Sequence, residues 1–278
     1  MRLYTIQPKE VWKQIQNENV FICDKSKSYY LDGKDKTNIN FVKGYQWLAK
    51  QMTDRIGNPD NIEYPVWAWY KRNGFNEYPN LNDLGFGEKE PLLVIELEIP
   101  KNQVLLSDFE EWHCVLNDDF CWDCSKSDFD NDIWIPTNPD KEKSWEHIFE
   151  ISNSSFVQAT FWKVTKDMVV SVEEFIPNNI DLEFEAHEIL TSEHYSKDML
   201  LEDFLFPPEI WAQNYIKNEI RTKQIHLGMK NYVNDKYIEH NTIEKCEKKT
   251  PVKCSDRTIQ NINIILGLFH IVFRYDEF

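Results

Sequence analysis

The order of apolar and polar positions sets out an alternation of short strands and helices over the first two thirds of the chain. Leu3 to Gln7 reads as a strand, and Pro8 suits the first turn of a helix turning Val11, Trp12 and Ile15 inward. Val20-Phe21-Ile22-Cys23 reads as a second strand. The polar stretch Asp24 to Asn38 reads as a loop, with Gly33 available for a turn. From Ile39 to Ile56 the apolar residues Phe41, Val42, Tyr45, Leu48, Ala49 and Met52 recur at helical spacing, and Gly57 supplies a stop.

Tyr64 to Tyr70 has the aromatic content of a strand. Residues 71–90 hold Gly74, Pro79, Gly85 and Gly87 and read as a mobile connection. Leu92 to Ile99 is the clearest strand, ended by Pro100, and Val104 to Leu106 is a shorter one. Ser107 or Asp108 can cap a helix to about Asn117, whose first turn carries acids as the helix dipole favours. An acidic loop to about Lys143 leads into a short helix with Trp145, Ile148 and Phe149. Val157 to Val164 and Met168 to Phe175 predict two further strands, and Pro177 closes this part. Helical patterns around 181–191, 208–222 and 258–272 follow. The fold class expected is therefore α+β over residues 1–176, with a mainly helical extension over 177–278.

Composition narrows the function classes. Aromatics make up 14% of 278 residues, with ten tryptophans, so the chain can bury a full core. Eight glycines and no Gly-rich phosphate motif argue against a P-loop or dinucleotide fingerprint. A net charge of -16 disfavours indiscriminate adsorption to nucleic acid or anionic lipid. The acids concentrate in 101–150, whereas 221–257 is locally basic. The run Ile262 to Phe273 is broken by Asn263 and His270 and is too short to span a bilayer, so no membrane association is expected. Six cysteines without a secretory leader read as reduced thiols, and the expected location is cytoplasmic.

Four segments carry a resemblance: Leu3-Tyr4-Thr5-Ile6-Gln7, Tyr64 to Tyr70, Leu105 to His113, and Gln158 to Trp162. In this order they resemble an uncharacterised bacterial domain family with T-I-Q, W-A-W-Y and L-S-D-F-x-x-W-H signatures, over roughly residues 1–176. The element order also resembles the split β-sheet of ADP-ribosyltransferases, notably the DNA-modifying toxin branch and its tRNA phosphotransferase relatives. That resemblance implies NAD as a substrate and Gln7 at the strand end that touches it. It aligns Gln158-Ala159-Thr160-Phe161 with a Q-A-E-F run, so Thr160 stands where the catalytic glutamate belongs. Threonine hydrogen-bonds but brings no charge to an oxocarbenium-like centre.

Several side chains are candidates for chemistry. Trp67 and Trp69 share a strand face and suit stacking of a nicotinamide or base, as they also suit a core. Glu96 and Glu98 share a face too, but their alternation with Val94, Ile95, Leu97 and Ile99 marks a solvent-facing side. His113, with Asp108, Glu110 and Trp112 within about a turn, is the general acid/base candidate, against the commoner outcome of a structurally satisfied imidazole. Cys121-Trp122-Asp123-Cys124 needs two more ligands for zinc, such as Cys114, His113, Cys246 or Cys254. The spacing matches no zinc pattern, so no metal is expected. His187 and His194, near Glu183, are too isolated for a metal site. Lys217, Arg221, Lys223, Lys230, Lys245, Lys248, Lys249 and Lys253, with Tyr232 and Tyr237, form a basic strip diluted by interleaved acids.

The leading expectation is an ADP-ribosyltransferase-like toxin or phage-defence factor. It would bind NAD or another nucleotide-like molecule through Gln7, Tyr45, Trp67 and Trp69, with catalytic groups drawn from His113, Gln158 and Thr160. The acceptor would be a protein or nucleic acid. The alternatives are a non-catalytic nucleotide- or partner-binding module of the same fold, and an acidic inhibitor of a nucleic-acid-binding enzyme acting through Asp118, Asp119, Asp128 and Asp130.

Overall fold

The computed structural model describes residues 1–28, 31, 39–74, 76–85, 88, 90–126, 131, 133–220 and 254–274. The basic residues from Arg221 to Lys253, Tyr232, Tyr237, Cys246, Asp128 and Asp130 lie outside them. The fold is mixed α+β. Six strands form one sheet in the order β5-β6-β3-β1-β4-β8, and β2 pairs with β7 in a second, two-stranded sheet. The strands are β1 (Arg2–Pro8), β2 (Val20–Ile22), β3 (Val66–Lys71), β4 (Leu92–Glu98), β5 (Leu105–Asp108), β6 (Val157–Phe161), β7 (Lys163–Thr165) and β8 (Val169–Phe175). The pairs β1–β3, β3–β6 and β5–β6 are antiparallel.

Helix α1 (Lys9–Glu18) buries Val11 and Ile15, while Trp12 is only half-buried. It ends at Asn19, whose φ of 60° is the left-handed geometry that asparagine tolerates. Helix α2 (Ile39–Ile56) turns Gly44, Leu48 and Met52 inward. Helix α3 (Phe109–Leu116) is capped by Asp108, whose Oδ1 accepts the Glu111 N–H at 2.9 Å. Where α2 crosses α3, a Cβ at Gly44 would lie 3.3 Å from both Val115 Cγ1 and the Val115 carbonyl oxygen. The glycine sets how closely the helices approach. Between them lies a core of Leu48, Met52, Trp112, Val115, Trp145 and Ile148.

Two expectations change here. The single strand over Val157 to Val164 breaks at Trp162, whose indole N–H donates to the Gly57 carbonyl at 2.6 Å. Chain on either side of that anchor joins different sheets, β6 the large one and β7 the small one. The connection over 71–90 is more built than its glycines imply. It holds a 3-10 turn, Leu81–Asp83, in which Asn80 accepts the Asn82 N–H and Leu81 and Asn82 are buried.

By compactness the chain divides into Met1–Asn76 with Val94–Val172, and Glu77–Leu93 with Glu173–Phe278. The second unit contains the helix Leu182–Thr191, capped by Asp181, and a helix not foreseen from the sequence, Lys197–Asp203, capped by Ser196. Helical residues 208–220 and the helix Asp256–Gly267 complete its described part. Its core gathers Leu182, Leu200, Trp211, Ile216, Ile262 and Ile265. Buried asparagines brace it. Asn178 accepts the Trp211 indole N–H at 2.5 Å, and Asn82 donates to the Tyr215 carbonyl at 3.2 Å. Among the described residues no helix is long and apolar enough to cross a membrane.

Candidate functional site

Strand register decides which of the expected site residues meet. Trp67 and Leu105 both pair with Thr160, and Trp69 and Ser107 both pair with Gln158, while Tyr4 pairs with Trp69. Paired residues of a sheet share a face, so Trp67, Trp69, Gln158 and Thr160 lie on one side. Tyr45 on α2 meets Trp67 edge-on at 5.8 Å and Trp112 at 5.6 Å. Trp69 contacts Phe109 at 5.0 Å, Phe109 contacts His113 at 4.8 Å, and the Arg72 guanidinium lies 4.6 Å from the Trp69 ring.

Gln7 does not join this group. By alternation along β1 it faces the other side of the sheet from Tyr4, as does Thr5, and its Nε2 donates to Thr5 Oγ1 at 2.7 Å. With β3 lying between β1 and β6, Gln7 and Gln158 belong to opposite faces of one sheet. Thr160 is fully buried and donates to the Leu105 carbonyl at 3.2 Å, so its hydroxyl ties strand to strand. His113 is exposed, and its Nδ1 faces the Phe109 and Glu110 carbonyls at 3.0 and 3.3 Å. It is satisfied by its own helix turn. Two polar atoms on the aromatic face, Trp67 Nε1 and Ser107 Oγ, are buried without a hydrogen-bond partner among the described residues.

The other candidates resolve into structural roles. Glu96 holds Arg2 at 2.9 Å and accepts from Ser171 at 3.0 Å, and Glu98 holds the N-terminal amine at 2.6 Å. Cys121 is buried and Cys124 exposed, and among the described residues no His, Cys, Asp and Glu side chains gather in a metal-holding group. His187 and His194 are exposed. Asp118 is neutralised by Lys43 at 2.8 Å and Lys141 at 3.0 Å, which hold its carboxyl below the usual range.

A residue that the sequence reading passed over has the more developed setting. Asp140 caps a single helical turn, Lys141–Ser144, and the chain tightens into the 3-10 segment Trp145–Phe149. A three-residue repeat places Trp145 and Ile148 on one side, and both are fully buried. The Trp145 indole N–H donates to the Asp119 carbonyl at 2.6 Å. Thus anchored, the segment presents His147 to a cleft of about 750 Å³, lined also by Arg55, Asp123, Ser125, Thr137 and Lys143.

His147 Nδ1 lies 2.9 Å from Glu111 Oε2, and its Nε2 lies 3.5 Å from Glu150 Oε2. Partial burial opposes the charged imidazole, but the hydrogen bond and charge of Glu111, with Glu150 and Asp123, outweigh it and raise the pKa. Asp123, bonded to Lys126 and Ser125, is held down to about 2, so it is a fixed negative charge beside the ring. Arg55 packs 4.2 Å over the Phe149 ring. A carboxylate on Nδ1 orients the imidazole, and Nε2, which faces the exposed Glu150 carboxylate, is the ring atom that can exchange a proton. Signals for this site were thin: one histidine in a short helix, with its partner 36 residues earlier.

Fold and site together define a mixed α+β domain with a polar, histidine-bearing cleft. Residues 2–133 match the model of a family described as a domain of unknown function, DUF3841, which supports an uncharacterised domain family over that segment. The matched segment includes Glu111 but stops before His147, Gln158 and Thr160. No curated protein and no solved structure matches the chain.

Proposed function

We propose that the unit formed by Met1–Asn76 and Val94–Val172 is a binding module for a nucleotide-like small molecule, seated in the His147 cleft. The observation that carries this is the Glu111–His147–Glu150 line of contacts opening on a polar cavity of about 750 Å³. Such a volume suits a small organic ligand. An anionic group would compete for Arg55 and Lys143 with Glu146 at 3.9 Å and Asp140 at 3.7 Å, Ser125 and Thr137 offer hydroxyl oxygens as acceptors, and His147 would exchange a proton at Nε2 in place of its contact with Glu150. ADP-ribosyl transfer with NAD, in a toxin or phage-defence setting, remains the narrower version of this proposal. It requires an acid other than residue 160, because the Thr160 hydroxyl is buried and bonded to Leu105.

A second reading places the ligand on the aromatic face of Tyr45, Trp67, Trp69 and Gln158. What favours it is the pair of partnerless buried atoms there, Trp67 Nε1 and Ser107 Oγ, since such groups cost stability until something bonds to them. One experiment separates the two. NAD, ADP-ribose and AMP are titrated into labelled protein while histidine ring and tryptophan indole resonances are followed. The cleft reading expects the His147 ring to move and Arg55→Ala to weaken binding at least ~10-fold, a charge-assisted contact of ~1.4 kcal/mol or more. Movement confined to the Trp67 indole selects the second reading. No response to any of the three sinks both.

A further inference from the structure

We infer that the His147 cleft takes a donor-rich, phosphate-poor ligand: a nucleoside or its monophosphate, held by ribose hydroxyls and a base amine, and not a nucleoside triphosphate. This rests on the cleft being the ligand site and narrows what can fill it.

The hydroxyl protons around the cleft are already spent. Ser125 Oγ donates to Asp123 Oδ1 at 2.5 Å. Thr137 Oγ1 donates towards two carbonyls, Cys121 at 3.1 Å and Ser144 at 3.2 Å. Ser144 Oγ donates to the Lys141 carbonyl at 2.6 Å and accepts the Cys121 N–H at 3.0 Å, so it is occupied in both roles. A hydroxyl has one proton, and what Ser125 and Thr137 hold out to a ligand is therefore oxygen lone pairs. Asp123, Glu146 and Glu150 also line the cleft, and an ionised carboxylate only accepts. Asn138 is the neutral exception. Its Oδ1 accepts the Asp140 N–H at 2.9 Å, which leaves its amide N–H group as a donor. A lining so rich in acceptors calls for donors from the ligand. Ribose O–H and exocyclic amine N–H groups supply them, whereas ionised phosphate oxygens bring more acceptors.

Charge points the same way. Three lining carboxylates face two cations, Arg55 and Lys143. Arg55 lies 3.9 Å from Glu146 and Lys143 3.7 Å from Asp140, and both pairs are solvent-exposed and readily exchanged. One phosphate can take Arg55 from Glu146. Further phosphates then meet Glu150, Asp123 and the carboxylate just released. Protonation of His147 brings the lining to balance and no further, with Glu111 standing 2.9 Å behind the ring. Lys126 offsets Asp123 at 2.9 Å, but Asp140 and Glu111 add two carboxylates at the margin.

The test titrates the full chain with adenosine, a dideoxy analogue of adenosine lacking its vicinal ribose hydroxyls, AMP and ATP. EDTA is present, and the His147 ring resonance is the readout. ATP is expected to bind about tenfold more weakly than AMP at low ionic strength, since its additional charges face carboxylates. Added salt should narrow that gap by screening. The dideoxy analogue should bind about tenfold more weakly than adenosine, the loss of a hydrogen bond to a charged acceptor. Glu146→Gln combined with Glu150→Gln, both at exposed positions, should narrow the AMP–ATP gap several-fold. ATP binding as tightly as AMP, or the dideoxy analogue as tightly as adenosine, overturns this inference while the cleft remains the ligand site. Silence from all four ligands removes the cleft reading and this inference together.

Discussion

Glu111 Oε2 and His147 Nδ1 lie 2.9 Å apart, joining α3 to the 3-10 segment that follows Asp140. Because the partnership raises the imidazole pKa above its ordinary 6.5, folding favours the protonated ring. The stabilisation is fully present below the unfolded value and is lost as pH rises through the folded one. Denaturant melts of wild type and Glu111→Gln are expected to differ most at acidic pH within this range and to converge above it. The difference should stay below about 1 kcal/mol, since both side chains are partly solvated.

Restoring an acid at position 160 tests whether Thr160 stands in a catalytic place. The residue is fully buried, with its hydroxyl on the Leu105 carbonyl. Thr160→Glu therefore buries an unpaired carboxyl, and a loss of about 3 kcal/mol or more is expected, with no gain of nicotinamide release from NAD. Thr160→Val removes a single hydrogen bond and should cost only about 1 kcal/mol. A folded, NAD-cleaving glutamate variant would reverse this account of the strand.

Gly44 sets the α2–α3 approach through its 3.3 Å clearance from Val115. Gly44→Val is expected to destabilise by about 1–3 kcal/mol in chemical denaturation, because its branched side chain has backbone as well as side chain to displace. An unchanged midpoint would mean that the helices separate without cost.

The Trp67 indole N–H has no hydrogen-bond partner among the described residues. Trp67→Phe should then cost less than Trp145→Phe, which forfeits a 2.6 Å bond to the Asp119 carbonyl and opens space in the core. Thermal unfolding of the two variants, without ligand, compares them directly. A larger loss at Trp67 would show that its nitrogen is engaged.

Local pattern carried much of the fold. The α2 periodicity and its Gly57 stop match the observed Ile39–Ile56, and Asp108 is the cap that its position before an apolar run suggests. What local pattern misses is decided by partners distant in sequence. Trp162 breaks a strand because Gly57, far earlier in the chain, accepts its indole N–H. Alternation along β1 sets Gln7 apart from Tyr4, but only the Tyr4–Trp69 register reveals that this removes it from the tryptophan face. His113 drew notice for its acidic neighbours in sequence, yet it spends Nδ1 on its own helix. His147 gains its carboxylate from another element, and nothing in Trp145-Glu146-His147-Ile148-Phe149 announces that.

The most direct measurement is a ring-resonance titration of His147 across neutral pH, with and without a nucleotide, in wild type and Glu111→Gln. The account predicts a wild-type pKa above 6.5, a lower one in the variant, and a further displacement when the cleft is filled. An ordinary pKa, indifferent to both Glu111 and ligand, would contradict it.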